Sequence, residues 1–201
     1  MGGLRFDRDG VETSGDPELD ALIWDLLETV VKPEKARPMN MLNDLFIYEV
    51  YHFRYRMGNY YPVGEPSGWE AKEAKELLTL RSGNCYSFAA LYYELARAIG
   101  FDARAYTGAI LGDPPEEDVV IRDVHGDLVS SPPGHIPHGW VEIEIDGVDY
   151  IFDPELAYRQ THRGLGVAGC FKMDAHERAR WGYYAGDAAA PEPSPSPAPT
   201  G

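Results

Sequence analysis

The 201-residue chain is 44% hydrophobic and 25% charged, which is ordinary for a globular protein with one medium-sized core. Its 18 Lys+Arg against 33 Asp+Glu give a formal charge of -15, a surface that repels nucleic-acid phosphates and anionic lipid and leaves neutral or cationic substrates open. The two cysteines, Cys85 and Cys170, cannot make the disulfide framework of a small secreted domain, and neither lies in a CxxC pair suited to zinc or redox work.

Residues 1–15 are polar and Gly-rich and read as a flexible lead-in without a signal-peptide core. No apolar run reaches bilayer-spanning length, so the chain is expected to be soluble, a mature form or an excised part of something longer. Residues 16–186 read as a single domain, helices first and strands after. Asp16-Pro17-Glu18 opens a helix through LDALIWDLLETVV. A second helix runs from about Pro38 into Tyr51, and Phe53–Pro66 reads as loop. Ser67 is placed to cap a short helix through WEAKEAKELL. Gly83-Asn84 breaks the chain, and from Cys85 the segment YSFAALYYELARAIG repeats Phe88, Leu91, Tyr92, Leu95 and Ile99 on one face, with Gly100 suited to the C′ position. Its alanines allow close packing, which makes this helix central.

FDARAYTGAIL follows as a strand. Residues 112–137 form an insert, Pro-rich and acidic, that reads as a surface loop with one short strand pair. HGWVEIEI and VDYIFDPE form a hairpin around an Asp146-Gly147 turn. In that register Val141, Ile143, Ile145, Val148, Tyr150 and Phe152 share one face. His138, Trp140, Glu142, Glu144, Asp149, Ile151 and Asp153 share the other, a sorting that a one-residue slip would scramble. Cys170–Met173 reads as a last strand, with a short helix after Asp174. Residues 187–201 are Pro/Ala/Ser-rich and read as a disordered tail that fits a tether.

Cys85 falls at the first turn of its helix, where free amides and the helix dipole stabilise a thiolate and can receive an oxyanion. Taken alone it reads equally as a small buried residue. The hairpin adds His138 and Asp153 as diagonal cross-strand neighbours, roughly 7–8 Å apart between backbones. That spacing suits a carboxylate holding one imidazole nitrogen while the other faces a thiol. Trp140, Trp69 and Asn84 are the candidates for substrate or oxyanion contact; each also reads as packing or turn residue.

RSGNCYSFAALYYELARAIGFDARAYTG followed by HGWVEIEIDGVDYIFDPE resembles the transglutaminase-like superfamily. A Gly-x-Cys turn opens a helix, and His-x-Trp and aromatic-x-Asp-Pro strands follow. The resemblance implies an α+β, papain-like core: a helical half whose central Cys-bearing helix packs on an antiparallel sheet. It implies Cys85 as nucleophile, His138 as general base and acid, and Asp153 as orienting carboxylate. The implied activity is cysteine-dependent acyl transfer on peptide or side-chain amides, hydrolysis ahead of cross-linking, with no cofactor and no metal. A non-catalytic binding module of a cell-surface protein is the alternative. The expected partner is a protein or peptide substrate, not nucleic acid or a membrane interior, and similar bacterial domains are often exported or surface-attached. The acidic run Asp113, Glu116, Glu117 and Asp118 lacks EF-hand spacing and reads as a solvated loop.

Overall fold

The computed structural model describes residues 14–31, 37–112 and 121–186. The expected lead-in over 1–13, the tail over 187–201 and the acidic run of the insert lie outside these residues. The helical half contains α1 (Pro17–Val30), α2 (Pro38–His52), α3 (Glu70–Leu80) and α4 (Cys85–Ala98). Asp16 caps α1 through hydrogen bonds from the Glu18 and Leu19 amides, with Pro17 in the first turn where its missing N–H costs nothing. Ser67 does not cap α3: Trp69 stands at the N-cap, and the Gly68 amide instead donates to the Glu70 carboxylate at 2.6 Å. Gly68 has φ +126, and that turn carries Ser67 away from the helix end.

In α4 only Tyr93 and Arg97 escape full burial, as befits a helix with neighbours on every side. It packs on α2, α3 and the sheet. Tyr92 meets Phe46 of α2 edge-on at 5.4 Å and donates to the Leu42 carbonyl at 3.0 Å, so the phenol is buried with its polar atom satisfied. Gly100, at φ 94, ends the helix.

Two short strands, β1 (Arg54–Tyr55) and β2 (Ser82–Gly83), pair in parallel just ahead of α4. The main sheet is antiparallel, in the order β3 (Ala103–Leu111), β4 (His135–Ile145), β5 (Val148–Phe152). The hairpin register is as expected, with Ile145 opposite Val148 and Val141 opposite Phe152. Asp146 and Gly147 both have positive φ, the geometry that keeps a two-residue turn in step with strand twist. The strand β4 begins at His135, inside the expected insert, so that Pro137 sits opposite Ala109. Proline is tolerated there because Ala109 turns its backbone groups outward, to Tyr184.

The C-terminal part departs from expectation. A helix not foreseen, α5 (Pro154–His162), follows Asp153 directly. Cys170–Met173 is not a strand: Val167–Cys170 forms a 3-10 turn and Lys172 has φ 56, so extension is broken and only Met173 bridges β5, at Ile151. The helix after Asp174 is present as α6 (Ala175–Trp181), closed by a reciprocal Asp174–Glu177 capping box. Met173 bridges one edge strand of the sheet, at Ile151, and Tyr184 the other, at Ala109, so a single segment reaches both edges.

Candidate active site

Cys85 is the first residue of α4, 5% exposed, and its thiol is free. Its position is fixed from below by polar groups. The Asn84 side chain accepts from the Tyr86 and Ser87 amides, while its own amide nitrogen donates to the Asn59 carbonyl at 2.6 Å. The Ser87 hydroxyl donates at 2.6 Å to buried Glu73, which also accepts from the Tyr61 phenol at 2.8 Å. Gly83 permits this packing, since a Cβ there would stand 2.5 Å from the Ser87 Cβ.

The strand β4 brings His138 to the same helix tip. Gly139 allows the approach: a Cβ on it would meet the Tyr86 ring at 2.9 Å and the Tyr86 Cα at 3.1 Å. His138 is 1% exposed, and its Nε2 lies 2.6 Å from an Asp153 oxygen. Asp153 is fully buried and uses both oxygens. Oδ1 accepts the Leu156 amide at 2.9 Å and so caps α5, and Oδ2 accepts the Tyr183 phenol at 2.7 Å as well as the imidazole. With Nε2 engaged by Asp153, Nδ1 is left facing Glu155 at 3.7 Å, and the neighbouring Cys85 side chain also favours the protonated ring.

Burial alone would strip the proton from the His138 ring. The Asp153 charge and hydrogen bond, with the Cys85 contact, outweigh that and push it up to about 10. Burial likewise opposes the Asp153 charge, but the imidazolium and the hydrogen bonds from His138, Leu156 and Tyr183 win, and its carboxyl is held below the usual range. The pair therefore persists as imidazolium and carboxylate across neutral pH. Cys170 contrasts with this: it is 2% exposed, and burial pushes its thiol up, which leaves it unreactive.

Cys85 and His138 open on a cavity of about 500 Å³. One wall comes from Tyr55, Met57 and Tyr60, a second from Ile121, Ile136 and Pro137, and a third from α5. The insert is pinned to the first wall by the Val124 amide, which donates to the Tyr60 carbonyl at 2.8 Å. Trp140, Trp69 and Asn84 do not line this cleft. Trp140 is fully buried, stacked on Tyr106 with its N–H on Glu142. Trp69 packs against Tyr61 and Tyr86, and Asn84 is consumed as a helix cap. The Asn84 cap also takes two first-turn amides, which leaves the amide of Cys85 itself, unpartnered among the described residues, as the oxyanion donor this turn can offer.

A family model of the transglutaminase-like superfamily matches residues 32–154, more than half of the chain. The chain belongs to this superfamily. Among curated proteins no match was found. Solved structures similar to this transglutaminase-like chain include the periplasmic domain of TgpA from Pseudomonas aeruginosa, at 22% identity and a TM-score of 0.44, covering 74% of this chain and 45% of that one. A candidate cysteine protease from Cytophaga hutchinsonii gives 20% identity and a TM-score of 0.41, over 74% of this chain and 47% of that one. Arylamine N-acetyltransferase C from Bacillus anthracis gives 15% and 0.36, over 68% and 49%. The chain spans less than half the length of each of these structures.

The family match ends at Pro154, and several site residues of this transglutaminase-like chain lie at or beyond that limit. Glu155 is buried, 3.7 Å from His138 Nδ1, and accepts from Arg159 Nε at 2.9 Å. Burial raises its carboxyl, partly offset by Arg159 and His138. Tyr183 comes from the segment that reaches both sheet edges. No local pattern marked either position: the signal available was the i, i+4 spacing of Glu155 and Arg159 behind a capping Asp153-Pro154. His138, Asp153 and Glu155 also present ligand atoms within 4.8 Å of one another, a geometry that could hold a cation. The Arg159 guanidinium on Glu155 and the two hydrogen bonds on Asp153 Oδ2 compete with such use.

Proposed function

We propose that the chain is a cysteine-dependent acyl-transfer enzyme that hydrolyses peptide or side-chain amides. The observation that carries this reading is the buried His138–Asp153 contact at 2.6 Å, with Cys85 and His138 lining the same cleft. Cys85 Sγ, its proton already on the His138 imidazolium, adds to the amide carbonyl. The oxyanion is met by the Cys85 amide, His138 returns the proton to the leaving amine, and a thioester remains. Water, deprotonated by the freed imidazole, then releases the acid. Asp153 holds the ring in the tautomer and orientation both halves need, and Tyr183 holds Asp153.

Hydrolysis is favoured over amine cross-linking by the charge of the cleft. A lysine ammonium approaching the thioester would meet Arg159 and, at the C-terminal end of α5, Arg163. In a longer protein this unit would act as an exported or surface-attached hydrolase. The test is turnover of a casein digest by the parent and by Cys85→Ala, with acid-quenched intact-mass analysis. An acyl adduct on Cys85, turnover lost in the variant, and free acid released even with added primary amine are expected. Undiminished turnover in Cys85→Ala would remove the reading, and amine conjugates as main product would reverse the preference for water.

A further inference from the structure

We propose that the α5 wall of the cleft is an anion subsite in which Arg159, flanked by Arg163 and His162, binds a carboxylate of the acyl donor beside the carbonyl that Cys85 attacks. The inference deepens the hydrolase reading and rests on it. Three observations converge. The chain is strongly acidic as a whole, yet among the described residues the lining of this cleft carries Arg159 and Arg163 against one carboxylate, Glu155, while His138 is paired with Asp153 behind it. The Glu155 carboxylate is already engaged by Arg159 through Nε, and burial drives it toward its neutral form, so the guanidinium charge is incompletely countered. Arg159 Nε is taken by Glu155 and Nη2 is buried with no acceptor among the described residues, so ligand contact falls to the exposed part of the side chain, 32% of it, on the cleft. A guanidinium with donors to spare, next to a nucleophile, is built to receive a carboxylate. Helical spacing explains the grouping: Arg159 and His162 are three residues apart on α5, and Arg163 follows as its C-cap.

The carboxylate can be an acidic side chain or a chain terminus, and matched ligands separate the two. Cys85 is alkylated with iodoacetamide, its sulfur displacing iodide, and protection of the Cys85 peptide is read by mass spectrometry. The ligands are N-acetylglutamate α-amide, its isomer N-acetylglutamine, and the neutral N-acetylglutamine amide. At least one anionic isomer is expected to protect at about tenfold lower concentration than the neutral amide. That advantage should shrink in about 0.5 M NaCl, because screening weakens charge pairing at a partly exposed site. It should vanish in Arg159→Gln. The measurement is a ratio within each protein, so a changed thiol reactivity cancels. The isomer that protects identifies the source of the carboxylate. Equal protection by the neutral amide, no protection by any ligand, or an advantage undiminished in Arg159→Gln would overturn the subsite. If Arg159→Gln fails to fold, Arg163→Gln and the salt titration of the parent decide, and an advantage insensitive to both refutes it. Selective Cys85 labelling without anion preference sinks the subsite alone, whereas labelling of Cys170 in place of Cys85 sinks the nucleophile and the subsite together.

Discussion

Asp153 divides its two oxygens between fold and chemistry, and substitution can separate them. In Asp153→Asn the side-chain oxygen can still accept the Leu156 amide and cap α5, but an N–H now faces His138 Nε2 and the Tyr183 phenol. The ring loses the acceptor that fixes its tautomer, so kcat/KM should fall roughly 10^3- to 10^4-fold with far less effect on unfolding. Tyr183→Phe should show the reverse balance. It removes one buried hydrogen bond to a carboxylate, costing about 1–3 kcal/mol in chemical denaturation, with a rate loss of only about tenfold. Equal kinetic losses in the two variants would contradict this division. Glu49 is a buried acid of another kind: it is 0% exposed and neither oxygen has a partner among the described residues. Burial drives its carboxyl well up, so the folded protein keeps it protonated where the unfolded chain would ionise it. Glu49→Leu should therefore raise unfolding free energy at pH 7 by about 1–3 kcal/mol, and the gain should fade below the ordinary glutamate range.

The elements most legible in the sequence are those whose information is local. Asp16-Pro17, the apolar repeat of α4 and the Asp146-Gly147 turn each specify their own geometry, and all three form as read. The hairpin then carries His138 and Asp153 to one place, because alternation leaves one register that buries Val141, Ile143 and Phe152. What the sequence hid was non-local or masked by competing readings. The helix α5 is short and polar, with its buried stripe limited to Pro154, Glu155, Leu156, Ala157 and Gln160, so its periodicity is faint beside the strand that precedes it. The Cys170–Met173 run has strand-like residues, but a 3-10 turn and a left-handed Lys172 bend it to bridge β5 only once. Trp140 looked like a cleft residue because it shares a face with His138, whereas Tyr183 closes that face over it at 5.0 Å. The contact between β4 and α4 is the junction on which the site depends, and Gly139 sets it. In Gly139→Ala the new methyl would meet the Tyr86 ring at 2.9 Å and the Cys85 carbonyl at 3.3 Å, so the strand must retreat and carry His138 with it. A retreat of about 1 Å should cost roughly 10^2-fold in kcat/KM while the hairpin stays folded. Parent-like turnover with an unchanged fold would show that β4 has more freedom against α4 than this packing allows.

Across the molecule the buried ionisable groups tilt stability in one direction. Burial raises the carboxyls of Glu49, Glu94 and Glu155, that of Glu94 to about 7, so each holds its proton to higher pH in the folded state than in the unfolded chain. The stability they contribute is complete below their ordinary value of 4.5 and is lost as pH rises through the folded value. His138 acts in the same sense. Its raised value means that the stabilisation is complete below 6.5 and drains away as pH climbs toward about 10. Asp153 opposes them only in acid, because its lowered carboxyl keeps its contribution above 3.8 and loses it as pH falls further. The net charge of -15 adds to the tilt, since each deprotonation increases self-repulsion. The stability optimum should therefore lie near pH 4, between about 3.8 and 4.5, with the melting temperature falling from there to pH 9. Each shifted group can contribute a slope of up to about 1.4 kcal/mol per pH unit within its window. Glu49→Gln should flatten the profile above pH 4.5 by removing one such slope, and His138→Gln should flatten it above 6.5 while its amide still donates to Asp153. Thermal unfolding of the parent and these two variants from pH 4 to 9 measures each window separately. A parent profile that is level, or that climbs toward alkaline pH, would mean that these buried groups are not protonated as their surroundings demand.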